Sequence, residues 1–234
     1  RSVVDDYTHE WGVDDFSVFL NQNIWNGSVS TNWNTAANWG NGVPTSNSNV
    51  LIPNVANLPI IDESDFPVSA PASAKNITIN TGASLTINAG AALTVSENLV
   101  YNGSIYLKSN APQGIPIEAD DASLIVLGNA SGTGTVYVDK YITQNRWHCI
   151  SSPLMNTTFG NLSGVYLKPY EEAQNNWGDY IESPYSSIPV GTGYIAYSLN
   201  TDITKTFRGK INNGPVGPLS LTRIHSGFNL IGNP

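Results

Sequence analysis

Asn76-Ile-Thr-Ile-Asn-Thr-Gly-Ala83, Ser84-Leu-Thr-Ile-Asn-Ala-Gly-Ala91 and Ala92-Leu-Thr-Val95 are consecutive copies of one phrase, the third fading at Ser96-Glu97. Aligned, Ile77, Leu85 and Leu93 recur together, as do Thr78, Thr86 and Thr94, then Ile79, Ile87 and Val95, and Gly82 with Gly90. The apolar-Thr-apolar alternation is that of a short strand with one buried face. The Gly closes a tight bend and is expected at positive φ. A fixed period means stacked units that bury their apolar side chains against neighbours. Eight residues are too few for a whole solenoid coil, whose repeats start at roughly 20 residues. They fit one face of a triangular coil of about 24 residues, with the apolar pair inward and Thr outward.

The pattern extends upstream through Leu58-Pro-Ile-Ile61 and Val68, and downstream through Leu99-Val-Tyr101, Ile105-Tyr-Leu107, Leu124-Ile-Val-Leu127 and Val136-Tyr-Val138. The sequence therefore predicts an all-β chain: a short right-handed parallel β-helix over 49–143, the hand following the crossover rule, then a small β-sandwich over 144–234. An antiparallel meander in a sandwich is the rival geometry for the repeat. In the second block, strands are expected at 147–150, 165–170, 193–198, 204–208, 219–222 and 228–231, between Pro and Gly turns. Packed on the end of the β-helix, that block would cap its open edge. Residues 23–48 form a Trp-rich cap with Trp25, Trp33 and Trp39 as packing residues. Within 1–22, Trp11-Gly-Val-Asp-Asp-Phe-Ser-Val-Phe-Leu20 reads as the orphan terminal strand of a preceding jelly-roll-like module.

Composition narrows function. Against 10 basic residues stand 18 acidic ones, a formal charge of −8 that opposes nucleic-acid binding. There is no apolar run long enough for a membrane span or signal peptide. One cysteine, Cys149, precludes an intrachain disulfide framework. The chain begins without Met and stops at Gly227-Phe-Asn-Leu-Ile-Gly-Asn-Pro234 in what reads as an interrupted strand, so it is expected to be a piece of a longer protein. Its Asn-x-Ser/Thr sites, such as Asn26-Gly-Ser28, follow from the abundance of these residues.

Trp25-x-Gly27, Trp33, Ala37-Asn38-Trp39 and Val43-Pro44-Thr45, followed by the repeat, resemble large secreted and surface proteins of the Bacteroidetes. The later phrases Arg146-Trp-His-Cys-Ile-Ser-Ser-Pro153, Gly191-Thr-Gly-Tyr-Ile195, Phe207-x-Gly209 and Gly227-Phe-Asn-Leu-Ile-Gly-Asn-Pro234 follow in the order such proteins show. The resemblance implies an adhesin-like cargo of the type IX secretion system, extracellular or on the outer-membrane surface, meeting type IX components during export.

Catalytic signals are thin. His9, His148 and His225 are far apart, and His148 and Cys149, adjacent on a strand, face opposite ways. Ser151-Ser152-Pro153 lacks the Gly-x-Ser-x-Gly elbow. Asp62, Glu63, Asp65, Glu97, Glu118, Asp120 and Asp121 fall in bends, without a pair stacked on one face as polysaccharide hydrolysis or elimination requires. The repeated Thr would suit ice binding only if Thr78, Thr86 and Thr94 shared a flat face. Asp14-Asp15 and Glu171-Glu172 lack the spaced oxygen ligands of a calcium loop, so no metal or other cofactor is indicated. The binding candidates are Tyr166, Tyr170, Trp177, Tyr180 and Tyr185, aromatic side chains in a charge-poor stretch suited to stacking on sugar rings; the competing role for them is the second block's core.

The sequence reading is thus a non-enzymatic, adhesin-like scaffold contacting glycans or other cell-surface molecules, with neither nucleic-acid partner nor membrane insertion. An accessory or catalytic module of a polysaccharide-active enzyme is the alternative, and a passenger captured with the type IX machinery the third.

Overall fold

The computed structural model describes residues 22–65, 71–112 and 120–232. The strand expected at 11–20, with His9 and Asp14-Asp15, lies outside the described residues, as do Val68 and Glu118. The protein is all-β, and helix among the described residues is limited to four single 3-10 turns. In chain order the strands are β1 (Gln22–Ile24), β2 (Asn49–Ile52), β3 (Ile60–Ile61), β4 (Ala72–Ala74), β5 (Asn76–Ile79), β6 (Ser84–Ile87) and β7 (Ala92–Val95). There follow β8 (Leu99–Tyr101), β9 (Ser104–Leu107), β10 (Ser109–Asn110), β11 (Asp120–Asp121), β12 (Ser123–Val126), β13 (Ala130–Ser131) and β14 (Thr135–Ile142). The remainder are β15 (Trp147–Ser151), β16 (Leu154–Met155), β17 (Tyr166–Glu171), β18 (Asn176–Trp177), β19 (Gly193–Tyr197) and β20 (Ile203–Ile211).

From β2 to β9 the chain visits three parallel sheets in rotation, and after the short β10-β11 hairpin it resumes the same order through β12, β13 and β14. The first sheet runs β1-β2-β5-β8-β13, the third β4-β7-β12, and the second contains β3-β6-β9-β14. The three repeated phrases, β5, β6 and β7, lie on three different sheets. In each of them the apolar pair is buried and the intervening Thr half-exposed. Gly82 and Gly90 have φ of +81° and +76°, in turns closed by the Ala83 and Ala91 N–H groups on the Asn80 and Asn88 carbonyls. A positive φ at the third turn position is what a type II turn demands. Thr78 is flanked by Leu51 and Val100, Thr86 by Ile60 and Tyr106, and Thr94 by Ser73 and Ile125. The three Thr therefore form no array of the kind ice binding needs.

Side chains fix the register at one corner. The Asn76 amide donates to the Asn49 side chain at 2.9 Å, the Asn98 backbone N–H donates to Asn76 Oδ1 at 2.9 Å, and the Asn129 N–H donates to Asn98 Oδ1 at 3.3 Å. The successive separations are 27, 22 and 31 residues. The longest accommodates the β10-β11 hairpin. At the N-terminal end Trp25, Trp33 and Trp39 are buried, with Trp39 edge-on to both others at 4.8 and 4.7 Å.

The block after residue 143 is joined to the repeat by a continuous sheet. β14 pairs antiparallel with β20 from Val136↔Gly209 to Ile142↔Ile203, and β16 adds beyond β20. A separate antiparallel sheet, β15-β19-β17-β18, buries Ile150, Leu167, Tyr194 and Ala196 in the same apolar cluster as the repeat core. The strands expected at 219–222 and 228–231 do not form; only Ile231 bridges, to Thr192. Pro215 and Pro218 remove donors there, and Leu219 and Leu230 instead lie over Gly191 and Gly193.

Ile87 is fully buried between Ile61 and Leu107. We expect Ile87→Asp to lower stability by about 4 kcal/mol or more, by burying an unpaired carboxylate. The thermal midpoint should then fall by roughly 10 °C, readable by circular dichroism.

Candidate functional site

The four-stranded sheet has two unlike faces. By strand alternation, Ile150, Tyr194, Ala196 and Leu167 point into the core, whereas Trp147, Cys149, Tyr197, Tyr166, Lys168, Tyr170 and Trp177 share the other face. Cross-strand pairing brings that second set into a row. Trp147 on β15 is opposite Tyr197 on β19, which is opposite Tyr166 on β17. Their ring centroids are 5.0 and 6.5 Å apart. Past β18 the chain keeps to the flank of β17, its Gly178 and Ile181 N–H groups donating to the Pro169 and Leu167 carbonyls. This sets Tyr180 5.5 Å from Tyr166, with the Lys168 ammonium 4.4 Å from the Tyr180 ring. Trp147, Tyr166 and Tyr180 remain 49%, 48% and 50% exposed, so each ring rests on a neighbour and offers the rest of its surface to solvent.

The expected aromatics divide accordingly. Tyr166 and Tyr180 belong to the row. Tyr170 and Trp177 form a second pair at 5.3 Å, with the Tyr170 hydroxyl donating to Asn175 at 2.9 Å. Tyr185 is exposed and has no ring contact among the described residues. The aromatics of the second block's core are instead Tyr194 and Phe159, edge-on at 5.3 Å, and Phe207. Sequence reasoning missed Trp147 and Tyr197, although the strands at 147–150 and 193–198 were readable; what was lacking was the register that aligns them. The Tyr197 hydroxyl donates to Asn145, a residue in the left-handed region at φ 56°, which anchors the end of the row. A row of half-exposed rings with hydroxyls at its margin can hold flat apolar faces by stacking while bonding to polar edges.

Of the other candidates, Ser152, His148 and Glu172 are engaged with neighbouring groups and Cys149 is exposed. Ser152 is buried, donating its hydroxyl to the Leu154 carbonyl at 2.7 Å and lying 2.6 Å from the Thr157 hydroxyl. His148 contacts the Thr143 carbonyl at 3.1 Å, and Cys149 is exposed on the opposite face. Glu172 is buried, and its carboxylate accepts the N–H groups of Ile224, His225 and Gly227 at 2.9, 2.8 and 2.8 Å. Burial alone would raise its pKa; these backbone donors, with the Thr222 hydroxyl, outweigh burial and hold it at about 2. The ring of N–H donors also repels a cation from the Glu172 carboxylate. Among the described residues no His, Cys, Asp and Glu cluster could hold a metal ion, and no helix is long and apolar enough to cross a membrane.

Residues 24–234 match a family model described as a domain of unknown function, DUF8693. The chain belongs to this family. Neither the curated proteins nor the solved structures contain a match to it. The match takes in the three cap tryptophans, every strand from β2 onward and the aromatic row, so the site lies inside the family's span.

The Glu172 clasp has a definite pH signature. Its carboxyl pKa is depressed on folding from an ordinary 4.5 to about 2, so its stabilisation is complete above about 4.5 and is lost as pH falls through about 2. Backbone amide shifts of Ile224, His225 and Gly227 should titrate together near pH 2. A midpoint near 4.5 would contradict the clasp, and Glu172→Gln should abolish the titration.

Proposed function

We propose that this chain is a non-enzymatic, glycan-contacting scaffold from a secreted or surface-displayed bacterial protein, and that its three rotating sheets are a short right-handed parallel β-helix. The matched parallel registers and the asparagine ladder support the β-helix. The sequence resemblance supports export as type IX cargo and adhesin-like display. In this reading the β-helix is a stiff spacer and the antiparallel sheet beside its last turn carries the contact surface.

One observation carries the glycan reading: Trp147, Tyr197, Tyr166 and Tyr180 form a half-exposed aromatic row across the outer sheet face. Large rings are normally buried where burial is available, because each hides 150–250 Å² of apolar surface on the order of several kcal/mol. Three of them in cross-strand register, with Tyr180 braced against Tyr166 from the flank, form a platform set for a ligand. The four rings are uncharged, with Lys168 at their flank over Tyr180, an arrangement that suits neutral sugars, whose ring C–H faces stack on aromatics and whose hydroxyls need amide and hydroxyl partners.

Isothermal titration against a panel of neutral oligosaccharides tests this. We expect Trp147→Ala and Tyr166→Ala each to weaken binding about tenfold, close to 1.4 kcal/mol, with unchanged thermal midpoints. Affinity should hold as salt rises from about 0.05 to about 0.5 M, since stacking is not screened as ion pairs are. Wild-type binding untouched by either variant overturns the assignment of the row. Depolymerisation of any panel glycan by the chain overturns the non-enzymatic reading.

A further inference from the structure

The parallel sheet carries a second aromatic feature on its outward side. Tyr106 on β9 and Tyr137 on β14 are register partners whose rings stack at 4.9 Å and 13°. Arg208, the partner of Tyr137 on β20, places its guanidinium 5.8 Å from the Tyr137 ring. Three consecutive strands thus hold guanidinium, ring and ring side by side. On the next strand the stack stops: the partner of Tyr106 on β6 is Thr86, a small residue. Beside it opens a shallow cavity of about 380 Å³ lined by Tyr106 with Gly82, Ser84, Asn102, Ser104 and Thr135.

The chemistry of that slot is specific. The Ser84, Ser104 and Thr135 hydroxyls and the Asn102 amide nitrogen make no hydrogen bond among the described residues, while Asn102 Oδ1 is held by the Thr133 N–H and hydroxyl, each at 3.2 Å. Small residues are enforced there. A Cβ at Gly103 would come within 2.1 Å of the Ala83 carbonyl oxygen, and one at Gly134 within 1.8 Å of the Gly103 oxygen, so the turns stack too closely for bulk. Lys108, 5.4 Å from the Tyr106 ring, is committed to Asp139 at 3.1 Å, and Arg208 lies on Tyr137. With both cations engaged and a chain charge of −8, an anionic ligand finds little to hold it.

We propose that this slot is a second sugar-contact site, taking one neutral pyranose unit of a glycan against Tyr106, with Ser84, Ser104, Thr135 and Asn102 meeting its hydroxyls. Tyr137 and Arg208 act as positioning residues that brace Tyr106 from behind. The inference rests on the glycan-contact reading and adds a separate face, on the spacer itself, so that one chain can engage a polysaccharide at two places.

The test is nuclear magnetic resonance of protein carrying ¹³C-labelled tyrosine, titrated with cellohexaose, xylohexaose and mannohexaose. With the hexaose that binds, the ring signals of Tyr106 and Tyr137 should shift along with those of Tyr166 and Tyr197. In a Trp147→Ala, Tyr166→Ala double variant the Tyr106 shift should persist. Ser104→Leu, which fills the slot from an outward position, should abolish the Tyr106 shift and spare Tyr166. Shifts confined to Tyr166 and Tyr197 overturn the second site and leave the first standing. A Tyr106 shift that survives Ser104→Leu also overturns it. Absence of any tyrosine shift with all three sugars overturns both.

Discussion

Parallel register is the constraint from which the rest of the structure follows. Because strands in a parallel sheet pair residue for residue, each inward side chain lies beside the equivalent inward side chain of the next strand in that sheet. The second sheet shows this as columns: Leu85, Ile105 and Val136 in one, and Ile61, Ile87, Leu107, Val138 and Phe207 in another. The first sheet has Val50, Ile77, Leu99 and Ala130. A one-residue slip would turn every column outward. The asparagine ladder opposes such a slip, since each side chain finds its partner only at the observed offset.

Columns of this kind must end somewhere, and the two ends are built differently. Toward the N-terminal end of the described residues the buried tryptophan trio is tied to β2 and β3, the Trp25 and Trp33 backbone N–H groups donating to the Leu51 and Ile60 carbonyls. At the other end β14 runs on past its parallel partner β9 and recruits β20, so the second sheet continues antiparallel on that side, with β16 pairing at Leu154↔Ile211 and Met155↔Lys210. The polypeptide between β14 and β20 is thereby anchored at both ends, and within it the antiparallel sheet buries one face on the common core. Its opposite face buries Ile195 and leaves Trp147, Tyr166 and Tyr180 about half exposed. That is where the aromatic row stands, on a sheet whose other face is packed into the common core.

Much of this was legible in the repeat. Apolar-Thr-apolar gave strand, inward pair and outward Thr, and the recurring Gly gave the positive-φ turns, because these depend on neighbouring residues alone. What depended on distant pairing was not legible. Asn49, Asn98 and Asn129 occur at offsets of 27, 22 and 31 residues from one another's partners, which no fixed period reveals. The alignment of Trp147 with Tyr197 and Tyr166 required the antiparallel register of three strands. The tail from Leu219 to Ile231 has strand-like composition, yet it is held by the Glu172 carboxylate and by leucines over glycines, interactions without a sequence period. Tyr166 and Tyr180 were found among the candidates because they are aromatic and near one another in sequence, the same reason that Tyr185 was included and Trp147 was not.

The fold depends on consecutive repeat units lying on different sheets, with their register partners on more distant strands. Methyl-resolved nuclear Overhauser spectroscopy measures this directly, since outward side chains on paired strands about 4.8 Å apart give strong cross-peaks. The Thr78 methyl should show a cross-peak to the Val100 methyls and none to the Thr86 methyl. A Thr78 to Thr86 cross-peak with no Thr78 to Val100 contact would place adjacent units side by side, as in a meander, and would contradict the account.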